Sequence, residues 1–294
     1  MRAPARPVAF RRLVGLLVTA GLTGCGQQAS GLPPPAEAGD PGAIHIHGLG
    51  VDPADGSLFL ATHTGLFRAA PAERRARRVA DRRQDTMGFT VVGPNHFLGS
   101  GHPDGLEDLP PFLGLIESRD AGRTWRPVSL QGEVDFHVLE SSGGRIYGYG
   151  SDWKSREPRF LSSSDGGRSW RSLRAPEPLI SLTIAPDDPR SLVVSGERGL
   201  HRSSDAGRSW TPVDAPGPGL LARASDAVVL VDLEGNVWRG ADPAAGRWRP
   251  AGAIGGAPAA LDADAEGELF VALHDGVIKH SADGGRTWSV RAQP

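Results

Sequence analysis

The chain has 294 residues, 34 acidic and 32 basic side chains for a formal charge of −2, 40 glycines, 25 prolines and one cysteine. That length supports a buried core, and the near-neutral charge argues against a nucleic-acid binder, whose domain is normally basic. One cysteine excludes an internal disulfide framework and any zinc site built on paired cysteines.

The chain opens with Arg2, Arg6, Arg11 and Arg12, followed by an apolar run over residues 13–20. The run is too short to span a bilayer but suits the hydrophobic region of a signal peptide. It leads into Leu22-Thr23-Gly24-Cys25, which resembles a bacterial lipobox. The resemblance implies a signal peptide over 1–24 and acyl chains on Cys25. The protein would then be exported and held by membrane lipid at the cell envelope, with no transmembrane helix. Residues 25–42, with Pro33-Pro34-Pro35, read as the lipidated cysteine and an extended tether. Residues 43–294 are expected to form one domain.

Within that domain an octad recurs. Its copies are Ser118-Arg119-Asp120-Ala121-Gly122-Arg123-Thr124-Trp125, residues 163–170 around Asp165, residues 203–210 around Asp205, and residues 281–288 around Asp283. A decayed copy fills 241–248, so successive starts lie 45, 40, 38 and 40 residues apart. The octad suits a hairpin: the aspartate accepts from turn amides, glycine supplies positive φ, and tryptophan packs on the sheet. Upstream of each copy runs a strand–turn–strand–loop–strand pattern, clearest over 182–202 and repeated without an octad at 48–68. The expected fold is all-β: a β-propeller of about six four-stranded antiparallel blades over 43–85, 86–131, 132–176, 177–214, 215–253 and 254–290. The octad resembles the Asp-box, or BNR, repeat of sialidases, sortilin-type receptors and photosystem-assembly propellers. The resemblance implies that Asp120, Asp165, Asp205 and Asp283 are folding devices.

Nine histidines are present, six of them in the first three blades. His47 opens the innermost strand of blade 1, with His45 two residues earlier. His137 aligns with His47, and Met87 stands in the comparable segment between them. His63 and His102 each follow the second strand of their blade. In a propeller these positions share one face of the disc, so the imidazoles and a thioether converge on one mouth of the central channel. Imidazole with thioether favours copper, and three histidines also satisfy zinc. His45, His47, His63, Met87, His102 and His137 are therefore the candidate metal ligands. Glu133, Asp104, Asp135 and Asp152 are candidate partners that orient the rings. A metal-free polar pocket and a chance grouping remain alternatives. His96, His201, His274 and His280 read as structural or solvated.

The resemblance to sialidases also raises glycoside hydrolysis. That chemistry needs an arginine clamp, a late tyrosine nucleophile with a glutamate, and an acid aspartate. No Arg-Ile-Pro motif occurs, and Tyr147 and Tyr149 are the only tyrosines. Binding is thus favoured over catalysis, and no catalytic residue is assigned. The leading expectation is a monomeric exported lipoprotein taking copper, zinc or a small polar ligand at a His-rich mouth. A sialidase-like glycan processor or binder is one alternative. An assembly scaffold for an envelope protein is another. The basic run Arg74-Arg75-Ala76-Arg77-Arg78 with Arg82-Arg83 reads as a solvated outer strand, with contact to anionic lipid headgroups as its alternative.

Overall fold

The computed structural model describes residues 40–105, 108–224, 227–241 and 246–294. The expected signal peptide, Cys25, most of the expected tether and part of the decayed octad lie outside the described residues. Residues 40–294 form one compact unit, and among the described residues there are 24 strands, β1 to β24, and no helix. Each group of four consecutive strands makes one antiparallel sheet, giving a six-bladed β-propeller. The innermost strands are β1 (Ile46–Asp52), β5 (Asp85–Gly93), β9 (Val134–Ser142), β13 (Leu179–Ile184), β17 (Gly219–Ala224) and β21 (Pro258–Ala263). They touch one another in that order, and β21 returns to β1.

Each blade presents alternate side chains to its two neighbours. The core is consequently divided into six clusters, one at each seam between blades. Phe59 and Leu66 of blade 1 meet Phe89 and Phe97 of blade 2. Leu58 and Leu60 on the other face of blade 1 meet Phe270 and Ile278 of blade 6. The remaining seams are built in the same way. Ring closure adds backbone pairing: Gln293 N donates to Arg74 O at 2.9 Å, and Ala76 N donates to Gln293 O at 3.0 Å. Arg291 donates to the carbonyls of Ala69, Ala70 and Glu73 at 3.3, 2.9 and 2.8 Å.

The octads lie between the third and fourth strands of blades 2, 3, 4 and 6. Four hydrogen bonds recur in every copy. In blade 3, Ser163 Oγ donates to Asp165 Oδ1 at 2.8 Å and accepts from Gly167 N at 2.9 Å. Ser169 then donates its N–H and its hydroxyl to the two oxygens of Asp165, at 3.0 and 2.6 Å. These bonds hold the carboxyls of Asp165, Asp205 and Asp283 well below the usual carboxylate range, the Ser or Thr hydroxyl contributing most. Gly167 also fixes the seam. Its φ is +82°, and a Cβ there would fall 2.1 Å from Leu115 Cδ2 of blade 2.

Two stability results follow. Gly167→Ala combines left-handed strain with a seam clash and should cost more than about 1 kcal/mol; Phe97→Ala empties a fully buried seam position and should cost about 3–5 kcal/mol. Thermal or denaturant unfolding measures both. Lowered aspartate pKa values mean stability that is full above about pH 4 and falls as pH drops towards the folded-state values. The denaturant midpoint should therefore decline as pH falls below about 4, and less steeply in Asp165→Asn/Asp205→Asn, whose starting stability is lower.

Candidate functional site at the channel mouth

Five of the six innermost strands carry a register break that aims one residue at the channel. In β1 the pairing skips His47 between Ile46 and Gly48. In β5 it skips Met87, and in β9 it skips His137. Blades 4 and 6 have Ile180 and Ala259 at their breaks, while β17 enters in regular register with Leu220. All six residues line a central channel of about 830 Å³. A bulge re-aims a side chain in this way. The mouth is therefore two-sided, with His, Met and His on blades 1–3 and aliphatic groups on blades 4–6.

The second strands bring the other imidazoles. His63 follows β2 (Ser57–Thr62), and His102 ends β6 (His96–His102). Each meets a carboxylate at the start of the next blade's innermost strand. His63 Nδ1 lies 2.8 Å from Asp85 Oδ2, and His47 Nε2 lies 3.5 Å from Asp85 Oδ1. His47, His63 and Asp85 each offer a ligand atom, and these atoms lie within 4.8 Å of one another. They are the only such trio among the described residues. Both His47 Nε2 and Asp85 Oδ1 are buried without a hydrogen-bond partner, a state that costs about 1–3 kcal/mol per group.

One blade further on, Asp135 Oδ2 accepts from His137 Nε2 at 2.9 Å and lies 3.3 Å from His102 Nε2. His102 Nδ1 donates to Pro111 O at 2.9 Å. With acceptors at both ring nitrogens His102 is held as an imidazolium, its pKa pushed up to about 9, chiefly by Asp135. Burial raises the Asp135 carboxyl, and the bonds from His102 and His137 outweigh it, leaving the group below its ordinary value. Asp135 is 2% exposed, and its Oδ1 has no partner. Beside it runs an aromatic ledge: His102 on Phe112 (5.3 Å between centroids), Phe112 on Trp153 (5.1 Å), and Arg156 over Trp153 at 4.4 Å.

The predicted residues thus divide into two groups. His47 and His63 gather on Asp85, and His102 and His137 on Asp135. The two groups are adjacent, since Asp85 and His102 are paired across β5 and β6. His45, at φ 49°, stacks its ring 6.1 Å from that of His63. Met87 lines the channel. Asp85 was not among the residues singled out from sequence. Its signal was its place two residues before Met87, as Asp135 stands two before His137. Of the other candidate carboxylates, Asp152 binds loop amides and Arg159, and Glu133 lies 4.0 Å from Arg159. His96, His280 and His201 pair with Glu117 (2.7 Å), Glu268 (2.7 Å) and Glu177 (3.4 Å), and His274 is exposed. Deeper in the channel are two carboxyls that the sequence did not single out. Protein hems in Asp262, pushed up to about 7, and Glu140, raised well above its ordinary value.

No protein family matches the chain, and no curated protein does. Among solved structures it is similar to a propeller provisionally named a gluconolactonase (TM-score 0.63, 13% identity, covering 79% of this chain and 87% of that one). A virginiamycin B lyase from Staphylococcus aureus gives 0.56 and 12%, covering 87% and 86%. An ancestral GH74 enzyme gives 0.54 and 13%, covering 85% of this chain but 39% of the enzyme. At such identities the likeness shows the fold alone.

Asp135→Asn should bring the His102 pKa down from about 9 towards 6.5, readable by NMR titration. A raised histidine pKa gives stability that is full below about pH 6.5 and is lost as pH rises through about 9. The variant should show a smaller alkaline loss over that window. The conclusion this geometry supports is a six-bladed β-propeller with a one-sided cluster of histidines and aspartates at its channel mouth.

Proposed function

We propose that this protein is an exported, lipid-anchored propeller of the Asp-box type that binds zinc or copper at its channel mouth. His47, His63 and Asp85 are the ligands. One observation carries the reading: His47, His63 and Asp85 each bring a donor atom within 4.8 Å of the other two, and His47 Nε2 and Asp85 Oδ1 are buried with no hydrogen bond. Two imidazoles and a carboxylate suit zinc and copper(II), and three protein ligands leave a coordination position for a small polar molecule. Met87, at the next bulge, offers a thioether to the softer copper(I) ion. Asp135, His102 and His137 shape the neighbouring wall, where a bound molecule would meet polar groups and the Phe112–Trp153 ledge.

The test is metal content by mass spectrometry on the full chain after loading with zinc or copper and desalting. One equivalent is expected, falling to none in His47→Ala, His63→Ala and Asp85→Asn with the fold kept. Free zinc at about 100 times its Kd should add about 2.7 kcal/mol of stability. That corresponds to a rise of about 5–10 °C in Tm for a domain of this size. A loaded wild-type chain without metal overturns the reading.

A glycan-processing alternative rests on Glu140 and Asp262, since burial raises both carboxyls and a raised carboxyl can serve as a general acid. Hydrolysis of aryl sialosides or glucosides that is lost in Glu140→Gln or Asp262→Asn, and unaffected by chelators, would favour it.

A further inference from the structure

The outer rim of blade 1 carries positive charge that the fold does not consume. Residues 74–83 hold six arginines and one carboxylate, Asp81. Arg74 donates to Val290 O, and Arg78 donates to Thr64 O and pairs with Asp40. Arg82 lies 3.4 Å from Gln84 Oε1. Arg75, Arg77 and Arg83 are exposed, and none makes a side-chain hydrogen bond or ion pair among the described residues. Arg77 lies on β4 (Arg77–Arg78), the outermost strand of the blade.

A second observation concerns where the chain joins the domain. Asp40 accepts from Arg78 Nε at 3.0 Å, and the hydrogen bonds from Arg78 hold its carboxyl down at about 2. The polypeptide is thereby pinned to the same rim that carries the free arginines. Cys25 stands 15 positions before Asp40, and that length of chain reaches about 50 Å even when fully extended. An anchor at Cys25 would keep this rim, of all parts of the propeller, within closest reach of the lipid. Anionic headgroups attract each arginine near the surface by about 1 kcal/mol within a Debye length.

We infer that Arg75, Arg77 and Arg83 dock the rim of blade 1 against the anionic phospholipid headgroups of the membrane that holds Cys25. The inference rests on the lipid-anchor reading above.

Two measurements separate the inference from the reading beneath it. The intact mass of the protein extracted from membranes reports whether Cys25 is acylated. Flotation of the unlipidated Cys25→Ser chain with vesicles reports the rim. It is run on phosphatidylcholine with and without phosphatidylglycerol, beside Arg75→Gln/Arg77→Gln/Arg83→Gln in the same background. Both chains carry identical residues 1–24, so any difference belongs to the rim. The unchanged rim should bind the anionic vesicles about 100-fold more tightly than the variant, and salt at about 0.5 M should abolish the difference. Neutral vesicles should not distinguish the two. Equal affinity for anionic vesicles, with both chains folded by circular dichroism, overturns the inference whatever Cys25 carries. Charge-dependent flotation with an unmodified Cys25 overturns the anchor and leaves the rim as a lipid-binding edge. Should the triple variant misfold, Arg77→Gln alone should lose about fivefold, and an unchanged affinity there is equally decisive.

Discussion

A four-stranded blade has two apolar faces and cannot cover either by itself. Each must be covered by a neighbouring blade, and the last must find the first. This requirement explains the six seam clusters, in which Phe59 packs with Phe97 and Leu60 with Phe270 across neighbouring blades. It also explains the octads. Each one turns the chain from third strand to fourth on bonds internal to eight residues, and its glycine lets the turn lie against the blade before it. Where the last blade meets the first, the seam is reinforced by Gln293 pairing with residues 74–76 and by the Arg291 guanidinium on three carbonyls.

The channel mouth is built on the same scaffold with the opposite economy of polar groups. Bulges in β1, β5 and β9 aim His47, Met87 and His137 inward, while the ends of β2 and β6 supply His63 and His102. Two carboxylates from neighbouring blades, Asp85 and Asp135, tie these together. The groups differ in consequence. At Asp135 the carboxylate is shared by two imidazoles, and His102, with acceptors on both sides, is kept charged. At Asp85 one imidazole nitrogen and one oxygen have no partner. Buried polar atoms are ordinarily satisfied, and the unsatisfied pair beside a third donor is the observation on which the proposed metal site rests.

Much of the fold was legible because its determinants are local. The octads carry their own hydrogen bonds within eight residues, so their spacing alone located blades 2, 3, 4 and 6. The strand–turn–strand pattern supplied blade 1, and the sheets follow the predicted boundaries closely. The alignment of His47, Met87 and His137 was also legible, since equivalent places in a repeat become equivalent places in the ring. Asp85 was less so, because its role depends on His63 of the preceding blade. Glu140 and Asp262 were not singled out, because their confinement depends on β9 and β21, far apart in the chain, facing one channel.

The amino-acid sequence by itself determined the all-β class, the repeat, the number of blades and the face on which His45, His47, His63, His102 and His137 gather. Those properties follow from periodicity and turn chemistry, which act over a few residues. Only the tertiary structure decided which histidine meets which carboxylate, which polar atoms remain unpartnered, and which carboxyls are confined in the channel. These depend on how strands far apart in the chain are set side by side, and a one-residue bulge is enough to change where a side chain points. Hydrogen bonds and metal donors require atoms placed to within a few tenths of an ångström, a precision that packing at the seams imposes and local pattern does not carry.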